Sequence, residues 1–164
     1  MTVIVVMGVS GSGKTTVGSA VAEALGVEYA EADTFHPQAN IEKMTAGHPL
    51  TDEDREPWLA SIALWIAEHQ ERGGVVSSSA LKRRYRDVLR GGWDVWFLHL
   101  NGSRDVLAER MKTRTGHFMP VSLLDSQLAD LEPLEADEPG ATFDISLSPA
   151  DLVASALKTF RERA

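Results

Sequence analysis

The chain contains short continuous runs of hydrophobic residues, separated by longer stretches in which hydrophobic residues recur every three or four positions. The β-branched run at residues 3–7 predicts a strand buried on both faces, since a half-exposed strand would alternate with polar residues. The other predicted strands are residues 27–32, 75–77, 94–100 and 142–147. Helices are predicted at residues 14–25, 37–46, 57–72, 81–90, 103–114, 121–131 and 149–163. Strands that alternate with helices predict one α/β domain over residues 1–164, in which helices cover both faces of a parallel sheet.

The start of the third predicted helix is ambiguous. Residues 51–54 resemble a helix-capping box, but Pro57 follows shortly after them. Since proline lacks the N–H group that a helix interior needs, we expect a short turn before Pro57 and the main helix over residues 57–72. Trp58 and Trp65 recur with other hydrophobic residues on one face of this helix, which is typical of core packing.

The composition is that of a globular protein with an acidic surface. The 164 residues carry a formal net charge of −8, which argues against a general binder of nucleic acid or anionic membranes, because both need a basic surface. The chain has no cysteine, which excludes disulfides and thiolate metal sites. No hydrophobic run approaches the roughly 20 residues that span a bilayer, and the start lacks a basic leader with a cleavage site. We therefore expect no membrane contact and a location in the cytoplasm.

A phosphate-binding motif follows the first predicted strand. Residues 8–15 read Gly-Val-Ser-Gly-Ser-Gly-Lys-Thr and fit the pattern G-x-x-x-x-G-K-[ST] at every fixed position. Glycines there allow successive backbone N–H groups to point at phosphate oxygens, and the helix that follows adds the positive end of its dipole. Lys14 is expected to reach the β- and γ-phosphates of ATP, and the Thr15 hydroxyl is expected to bind Mg²⁺. The predicted nucleotide-binding residues are Gly8, Ser10, Gly11, Ser12, Gly13, Lys14, Thr15 and Thr16.

Other short motifs distinguish between the classes of P-loop protein. A GTP-binding switch needs the guanine-reading sequence N-K-x-D, which the chain lacks. A motor usually has a hydrophobic strand ending in an acidic residue that binds the metal, whereas the third predicted strand ends in serines at residues 77–79. The D-x-x-G sequence at residues 137–140 follows an acidic loop rather than a strand and is interpreted as a coincidence. These observations favour a kinase that phosphorylates a small molecule.

Asp33 is the candidate for the acceptor side of such a kinase. It follows the second predicted strand, at the edge of the sheet where ligands bind in open α/β folds. Its carboxylate could accept a hydrogen bond from the attacking hydroxyl, act as its general base, or help to hold Mg²⁺ through water. The alternative is an ordinary turn aspartate that caps the helix beginning at Pro37.

A basic helix is predicted after the third strand. Lys82, Arg86 and Arg90 recur every four residues and therefore share one helical face. With Ser79 as the N-cap, Lys82 lies in the first turn, where a cation is unfavourable and suggests a bound anion. The alternative is a charged face that is simply solvated.

Two further arginines precede a segment that could act as a lid. Arg110 and Arg114 are one helical turn apart and lead into a glycine-containing stretch at residues 115–120. Such a loop could close over ATP and place guanidinium groups against the transferring phosphoryl group. His117 lies in this stretch and is by itself a weak signal.

Longer strings of residues resemble the gluconate kinases, a family in the nucleoside-monophosphate-kinase-like branch of P-loop proteins. The first is Asp33-Thr34-Phe35-His36-Pro37, which continues through Asn40, Lys43-Met44, Gly47, Pro49-Leu50, Asp52, Asp54-Arg55 and Pro57-Trp58-Leu59. The second is Ser79-Ala80-Leu81-Lys82 with Tyr85-Arg86-Asp87. The third is Arg114 with His117-Phe118-Met119-Pro120, followed by Leu123-Leu124 and Ser126-Gln127. These strings span nearly the whole chain and are more specific than the phosphate-binding motif.

The resemblance implies a three-layer P-loop kinase fold, with parallel strands in the order 2-3-1-4-5 and a small lid at about residues 114–131. It implies transfer of the ATP γ-phosphate to the 6-hydroxyl of D-gluconate. The resemblance implies that Asp33, Arg55, Lys82 and Arg86 line the gluconate pocket. Together with the motifs above, the predicted catalytic residues are Lys14, Asp33 and Arg114, and the predicted substrate-binding residues are Asp33, His36, Arg55, Lys82, Arg86 and His117. By the same resemblance, Arg110 would lie against the adenine, and the protein would be a homodimer in the cytoplasm. There are two alternatives: a kinase of another small hydroxy acid such as shikimate, and a nucleotide-binding regulator without an acceptor.

Overall fold

The hydrophobic run near the start of the chain forms the central strand of a parallel sheet. The computed structural model describes residues 1–113 and 121–163. Its strands are β1 (Val3–Met7), β2 (Glu28–Glu31), β3 (Gly74–Ser77), β4 (Val95–Asn101) and β5 (Gly140–Asp144). They form one sheet in the order β2-β3-β1-β4-β5, in which every neighbouring pair is parallel. The predicted fold class and strand order are confirmed.

Helices cover both faces of this sheet. They are α1 (Lys14–Leu25), α2 (Gln38–Thr45), α3 (Asp52–Glu68), α4 (Arg83–Arg90), α5 (Arg104–Thr113), α6 (Val121–Asp130) and α7 (Pro149–Glu162), and a 3₁₀ turn at Ala32–Phe35 follows β2. Ile4 and Val6 of β1 pack with residues of α1 and α7. Val3 and Val5 point to the opposite face and pack with residues of α3 and α4. Every side chain of β1 is therefore buried, which explains why its hydrophobic run is continuous.

Within residues 1–113 and 121–163, none of the helices is both long and hydrophobic enough to cross a bilayer.

Helix α3 begins at Asp52, earlier than the predicted start at Pro57, and ends at Glu68. A capping box stabilises its first turn: the Asp54 N–H donates to Thr51 Oγ1 (3.2 Å), and the Thr51 N–H donates to Asp54 Oδ2 (2.8 Å). The acidic first turn also interacts favourably with the positive end of the helix dipole. Because this start is well satisfied, the helix accommodates the one backbone hydrogen bond that Pro57 cannot donate. The predicted turn before Pro57 was wrong.

Helix α4 begins at Arg83, later than predicted, and Lys82 is the residue before its first turn. Ser79 is therefore not the cap of this helix. Instead, the carboxylate of Glu132 accepts a hydrogen bond from the Arg83 N–H (3.0 Å). This contact joins residues that are far apart in the sequence, so a local pattern does not reveal it. The first-turn position inferred for Lys82 was thus incorrect.

Candidate active site

The phosphate-binding loop connects β1 to α1. Its backbone has positive φ angles at Gly11 (83°) and Gly13 (93°), a conformation that favours glycine. At Gly8, an added Cβ would lie 2.7 Å from the carbonyl oxygen of Leu100, so this position has no room for a side chain. The loop forms one side of a cavity of about 380 Å³, called here the phosphate cavity. Its lining residues are Ser10, Gly11, Ser12, Gly13, Lys14, Thr15, Thr16, Glu31, Asp33, Ser77 and Met111.

Lys14 is the first residue of α1, and its side chain folds back over the loop. Its Nζ donates hydrogen bonds to the carbonyl oxygens of Gly8 (2.8 Å) and Val9 (3.3 Å). These bonds hold the positive charge beside the backbone N–H groups of the loop. A cation and a curved row of amides at one place form an anion-binding site.

Thr15 faces a carboxylate that the motifs did not reveal. Its hydroxyl donates to Glu31 Oε1 (2.5 Å), and Glu31 also lines the phosphate cavity. The Tyr29 hydroxyl lies 2.9 Å from Ser77 Oγ and 3.4 Å from Glu31 Oε1, and burial raises the pKa of Tyr29. Glu31 ends β2 just before Asp33, so its position at the carboxyl edge of the sheet was a signal that could have identified it.

The pair formed by Thr15 and Glu31 suits Mg²⁺, because this ion prefers hydroxyl, carboxylate and phosphate oxygens. Among the described residues, no group of three or more histidine, aspartate or glutamate side chains is placed to hold a metal ion by itself. Bound phosphates would supply further oxygen ligands to such an ion, as is usual for Mg²⁺.

A second cavity of about 220 Å³, called here the acceptor cavity, shares Ser10, Lys14 and Asp33 with the phosphate cavity. Its other lining residues are His36, Met44, His48, Pro49, Leu50, Arg55, Trp58, Ser79, Leu123, Ser126, Gln127 and Asp130. The shared residues show that the two cavities meet beside the Lys14 ammonium and the Asp33 carboxylate.

The 3₁₀ turn after β2 places Asp33 at this junction. Trp58 Nε1 donates to the carbonyl oxygen of Ala32 (2.6 Å), which ties the turn to α3. The His36 ring stacks on Trp58, with 4.2 Å between the ring centroids. Burial lowers the pKa of His36, and its Nδ1 accepts a hydrogen bond from Asn40 Nδ2 (3.3 Å), which leaves Nε2 as the donor of the neutral ring. Asp33 and His36 are thereby held on one wall of the acceptor cavity.

Two of the predicted substrate-binding cations are connected through Tyr85. Arg55 lines the acceptor cavity, and its NH1 donates to the Tyr85 hydroxyl (2.8 Å). Tyr85 in turn donates to the carboxylate of Asp52, and Lys82 Nζ lies 3.6 Å from that carboxylate. The hydrogen bond from Tyr85, with the nearby cations, lowers the pKa of Asp52. Lys82 is thus linked to the cavity wall through Asp52 and Tyr85.

Arg86 lies in the interior and not in the lining of the acceptor cavity, contrary to the prediction. Its side chain is completely buried, and its guanidinium group donates to both carboxylate oxygens of Glu138, with distances of 2.7 and 3.1 Å. A buried guanidinium needs a counter-charge, and Glu138 supplies it from the loop before β5. Glu138 belongs to the D-x-x-G sequence that was interpreted as a coincidence, and its partner is far from it in the chain.

Arg110 lies beside the phosphate-binding loop. Its NH2 donates to the carbonyl oxygen of Ile145 (2.8 Å), and its NH1 is 3.7 Å from the position that a Cβ on Gly13 would take. Arg110 is therefore on the nucleotide side of the molecule. Arg114 and His117, with the first part of the predicted lid, lie outside the described residues.

Gln127 of α6 contacts the phosphate-binding loop directly. Its Oε1 accepts a hydrogen bond from the backbone N–H of Ser10 (2.8 Å), and both residues line the acceptor cavity. Gln127 stood in the third string of the resemblance, but its role was not recognised there. Helix α6 thus forms a wall that reaches from the acceptor cavity to the loop.

Comparison with known proteins identifies the family. A family model described as shikimate kinase matches residues 10–136. A gluconokinase of Gluconobacter oxydans (strain 621H) is 52% identical over 139 residues, which cover 83% of this chain and 78% of that protein. The chain belongs to the gluconokinase family.

Solved structures agree with this relationship. A sugar kinase from Janibacter sp. HTCC2649 superposes with a TM-score of 0.93 at 52% identity, covering 98% of this chain and 95% of the other. A gluconokinase from Sinorhizobium meliloti 1021 gives a TM-score of 0.90 at 50% identity, covering 98% of this chain and 91% of the other. The resemblance inferred from the sequence strings is confirmed, and the protein is a P-loop kinase.

Proposed function

We propose that this protein transfers the γ-phosphoryl group of ATP to the 6-hydroxyl of D-gluconate, giving 6-phospho-D-gluconate and ADP. The observation that carries this proposal is that the phosphate and acceptor cavities share Ser10, Lys14 and Asp33. A phosphoryl group in one cavity and a hydroxyl group in the other would meet beside these residues. Phosphoryl transfer depends mainly on such positioning and on charge stabilisation. The gluconokinase relatives support gluconate as the acceptor.

On the phosphate side, the loop amides and Lys14 would bind the β- and γ-phosphates. Thr15 and Glu31 would hold Mg²⁺, either directly or through water. When bound, this cation adds positive charge against the phosphate oxygens. Arg110 would contact the nucleotide, and Arg114 would stabilise the charge on the transferring group once the segment that carries it covers the site.

On the acceptor side, Asp33 would accept a hydrogen bond from the hydroxyl that attacks, because it lies at the junction with the phosphate cavity. Arg55 offers a guanidinium for the carboxylate at the other end of gluconate. The remaining hydroxyl groups would bond to the polar side chains of the cavity wall: His36, Ser79, Ser126, Gln127 and Asp130. His117 would add to these contacts from the lid.

Release of ADP from ATP, measured with different acceptors, tests the proposal. The assay compares gluconate, shikimate, a nucleoside monophosphate and no acceptor at equal enzyme concentration. Release that depends on gluconate supports the proposal. Release that depends on shikimate would assign the acceptor cavity to another hydroxy acid, and equal release without any acceptor would favour a nucleotide-binding regulator.

The resemblance to gluconate kinases also supports a homodimer that acts in the cytoplasm. Sedimentation or light scattering of the purified protein tests the first point, and cell fractionation tests the second. A monomer at all concentrations would reject the dimer without changing the proposed reaction.

A further inference from the structure

We propose that Arg86 and Glu138 form a buried positioning pair that sets the geometry of the acceptor cavity for its substrate, an inference that rests on the proposed function. The pair acts on residues 79–82, called here the acceptor segment, which connects β3 to α4. Neither side chain touches the cavity itself, so both act through the backbone that they hold.

The contacts of Arg86 account for every N–H group of its guanidinium. Nε and NH2 donate to the two carboxylate oxygens of Glu138. NH1 donates to the carbonyl oxygens of Ala80 (3.0 Å) and Leu81 (3.2 Å), and NH2 also donates to that of Pro133 (3.3 Å). With five donors fixed in one plane, the side chain holds three backbone carbonyl groups at set positions relative to each other.

The acceptor segment has a backbone conformation that needs such support. Ala80 is, among the described residues, the one non-glycine residue with a positive φ angle (44°), which is unfavourable for a residue with a Cβ. Just before it, Ser79 lines the acceptor cavity, and its carbonyl oxygen accepts a hydrogen bond from the N–H of Gly8 (3.3 Å). A shift of the turn at Ala80 would therefore move both the cavity wall and its junction with the phosphate-binding loop.

The same pair also fixes the chain that leaves α6, whose residues form the opposite wall of the cavity. The N–H of Glu132 donates to the carbonyl oxygen of Leu81 (2.7 Å), next to the Pro133 carbonyl that Arg86 holds. Glu138 Oε2 accepts a further bond from the N–H of Glu135 (2.8 Å). The two walls of the acceptor cavity are thus connected through this buried ion pair, in addition to the direct bonds that Glu132 makes with Leu81 and Arg83.

A gain in the stability of the fold does not by itself explain this buried ion pair. Charges buried in a protein interior lose hydration, and hydrophobic residues of similar volume often give equal or greater stability. A positioning role differs from a purely structural role in one measurable way: it predicts that substrate affinity and stability respond differently to substitution.

The first test uses Arg86→Lys, which keeps the positive charge but has three donors and no planar group, so it cannot replace all five hydrogen bonds of the guanidinium. We expect KM for gluconate to rise about tenfold, while KM for ATP changes by less than about twofold, because β1 and α1 hold the phosphate-binding loop separately. Glu138→Gln keeps the size of the side chain and should give a smaller rise in KM for gluconate. Unchanged KM for gluconate in both variants would refute the positioning pair.

The second test uses the double variant Arg86→Met/Glu138→Leu. Removing both charges leaves neither of them buried without a partner, so urea unfolding should show that part of the stability lost in Arg86→Lys is recovered. The carbonyl groups of the acceptor segment still lack their donor, so KM for gluconate should remain raised by about tenfold. Recovery of KM together with stability would show a purely structural role and overturn the proposal.

Leu152→Ala is the matched control for general loss of stability. Leu152 is buried on α7, in the hydrophobic cluster on the other face of the sheet from α4. This variant should lower the free energy of unfolding without changing KM for gluconate. A rise in KM as large as that of Arg86→Lys would overturn the proposal. A wild-type protein without gluconate-dependent turnover would instead refute the proposed function, so the two failures are distinguishable.

Discussion

The phosphate cavity and the acceptor cavity are assembled from the same chain in different ways. The consecutive residues 10–16 supply most of the wall of the phosphate cavity. The wall of the acceptor cavity comes from many segments: the phosphate-binding loop and the start of α1, the turn after β2, helices α2 and α3 with the region between them, Ser79 beyond the end of β3, and helix α6. One cavity is therefore a local structure, and the other exists only in the folded molecule.

This difference has a physical cause. A phosphate is bound largely by backbone N–H groups, whose direction depends on a few glycines and on the start of one helix. A hydroxy acid is bound by side chains, each of which must be placed by a different segment. Substitutions at the junction of the cavities should therefore lower the rate of phosphoryl transfer, whereas substitutions farther from it in the acceptor cavity should change the affinity for gluconate alone.

Lys14 lies at the junction, and Lys14→Ala should have the largest effect. Its ammonium is bonded within the loop and lines both cavities, so its loss removes charge stabilisation from the transferring phosphoryl group. We expect kcat/KM to fall by at least about 10³-fold with any acceptor, measured by ADP release. Lys158→Ala, at an exposed position of α7, is the control and should keep full activity. Substantial turnover in Lys14→Ala would remove this loop from the mechanism.

Asp33 and Asp130 separate the junction from the rest of the acceptor cavity. Both carboxylates line that cavity, but of the two only Asp33 also lines the phosphate cavity. Asp33→Asn should lower kcat by about 10²-fold with the affinity for ATP unchanged, because the attacking hydroxyl loses its acceptor. Asp130→Asn should raise KM for gluconate and leave kcat nearly unchanged. Steady-state kinetics measures kcat and KM for gluconate in both variants. An equal loss of kcat in Asp33→Asn and Asp130→Asn would contradict a special position for Asp33.

The same contrast explains how much of the molecule was predictable from its sequence. The order of the strands could be predicted from the alternation of strands and helices together with the resemblance. The burial of β1 on both faces could be predicted from its continuous hydrophobic run. The residues of the phosphate-binding loop could be predicted one by one, because the motif and its structure are both local. Asp33 was predicted because it follows a strand at the edge of the sheet where ligands bind, and the structure places it where the two cavities meet.

The errors concern contacts between distant segments. Arg86 shares a helical spacing with Lys82, but the spacing does not show that Glu138 lies against that face and draws the guanidinium inward. The start of α4 depends on Glu132, which the local sequence around Arg83 does not contain. Glu31 was missed for a different reason: it is the last residue of a strand whose other side chains gave no chemical signal.

Arg55 and Lys82 test which cation binds the carboxylate of gluconate. Arg55 lines the acceptor cavity, whereas Lys82 is linked to it through Asp52 and Tyr85. Arg55→Ala should raise KM for gluconate about thirtyfold, and Lys82→Ala only about threefold, with KM for ATP unchanged in both. Arg55→Lys should restore part of the affinity, since it keeps the charge without the planar group. A larger rise in KM for Lys82→Ala than for Arg55→Ala would place the carboxylate of gluconate beside Lys82.

The smallest predicted effect is on stability and concerns His99, a buried histidine that lines neither cavity. It is on β4, in register with Met7 just before the phosphate-binding loop, and its Nδ1 is 3.4 Å from Thr142 Oγ1. Burial lowers the pKa of His99 to about 4, and the positive charge of Arg86 adds to this. The unfolded chain, with an ordinary histidine pKa of about 6.5, therefore takes up a proton at a higher pH than the folded chain does. Its contribution to stability is present above pH 6.5 and is lost as the pH falls toward 4.

Urea unfolding at pH 7.5 and pH 5.5 measures this contribution. The wild type should lose roughly 1 kcal/mol more between the two values than His99→Leu does, because the variant has no group to protonate there. Leucine suits the position, since His99 is buried and its Nε2 has no hydrogen-bond partner in the described part of the chain. In Arg86→Met/Glu138→Leu the repulsion from Arg86 is absent, so the loss attributable to His99 should become smaller. Equal losses in the wild type and His99→Leu would mean that protonation of His99 does not contribute to the loss of stability at the lower pH.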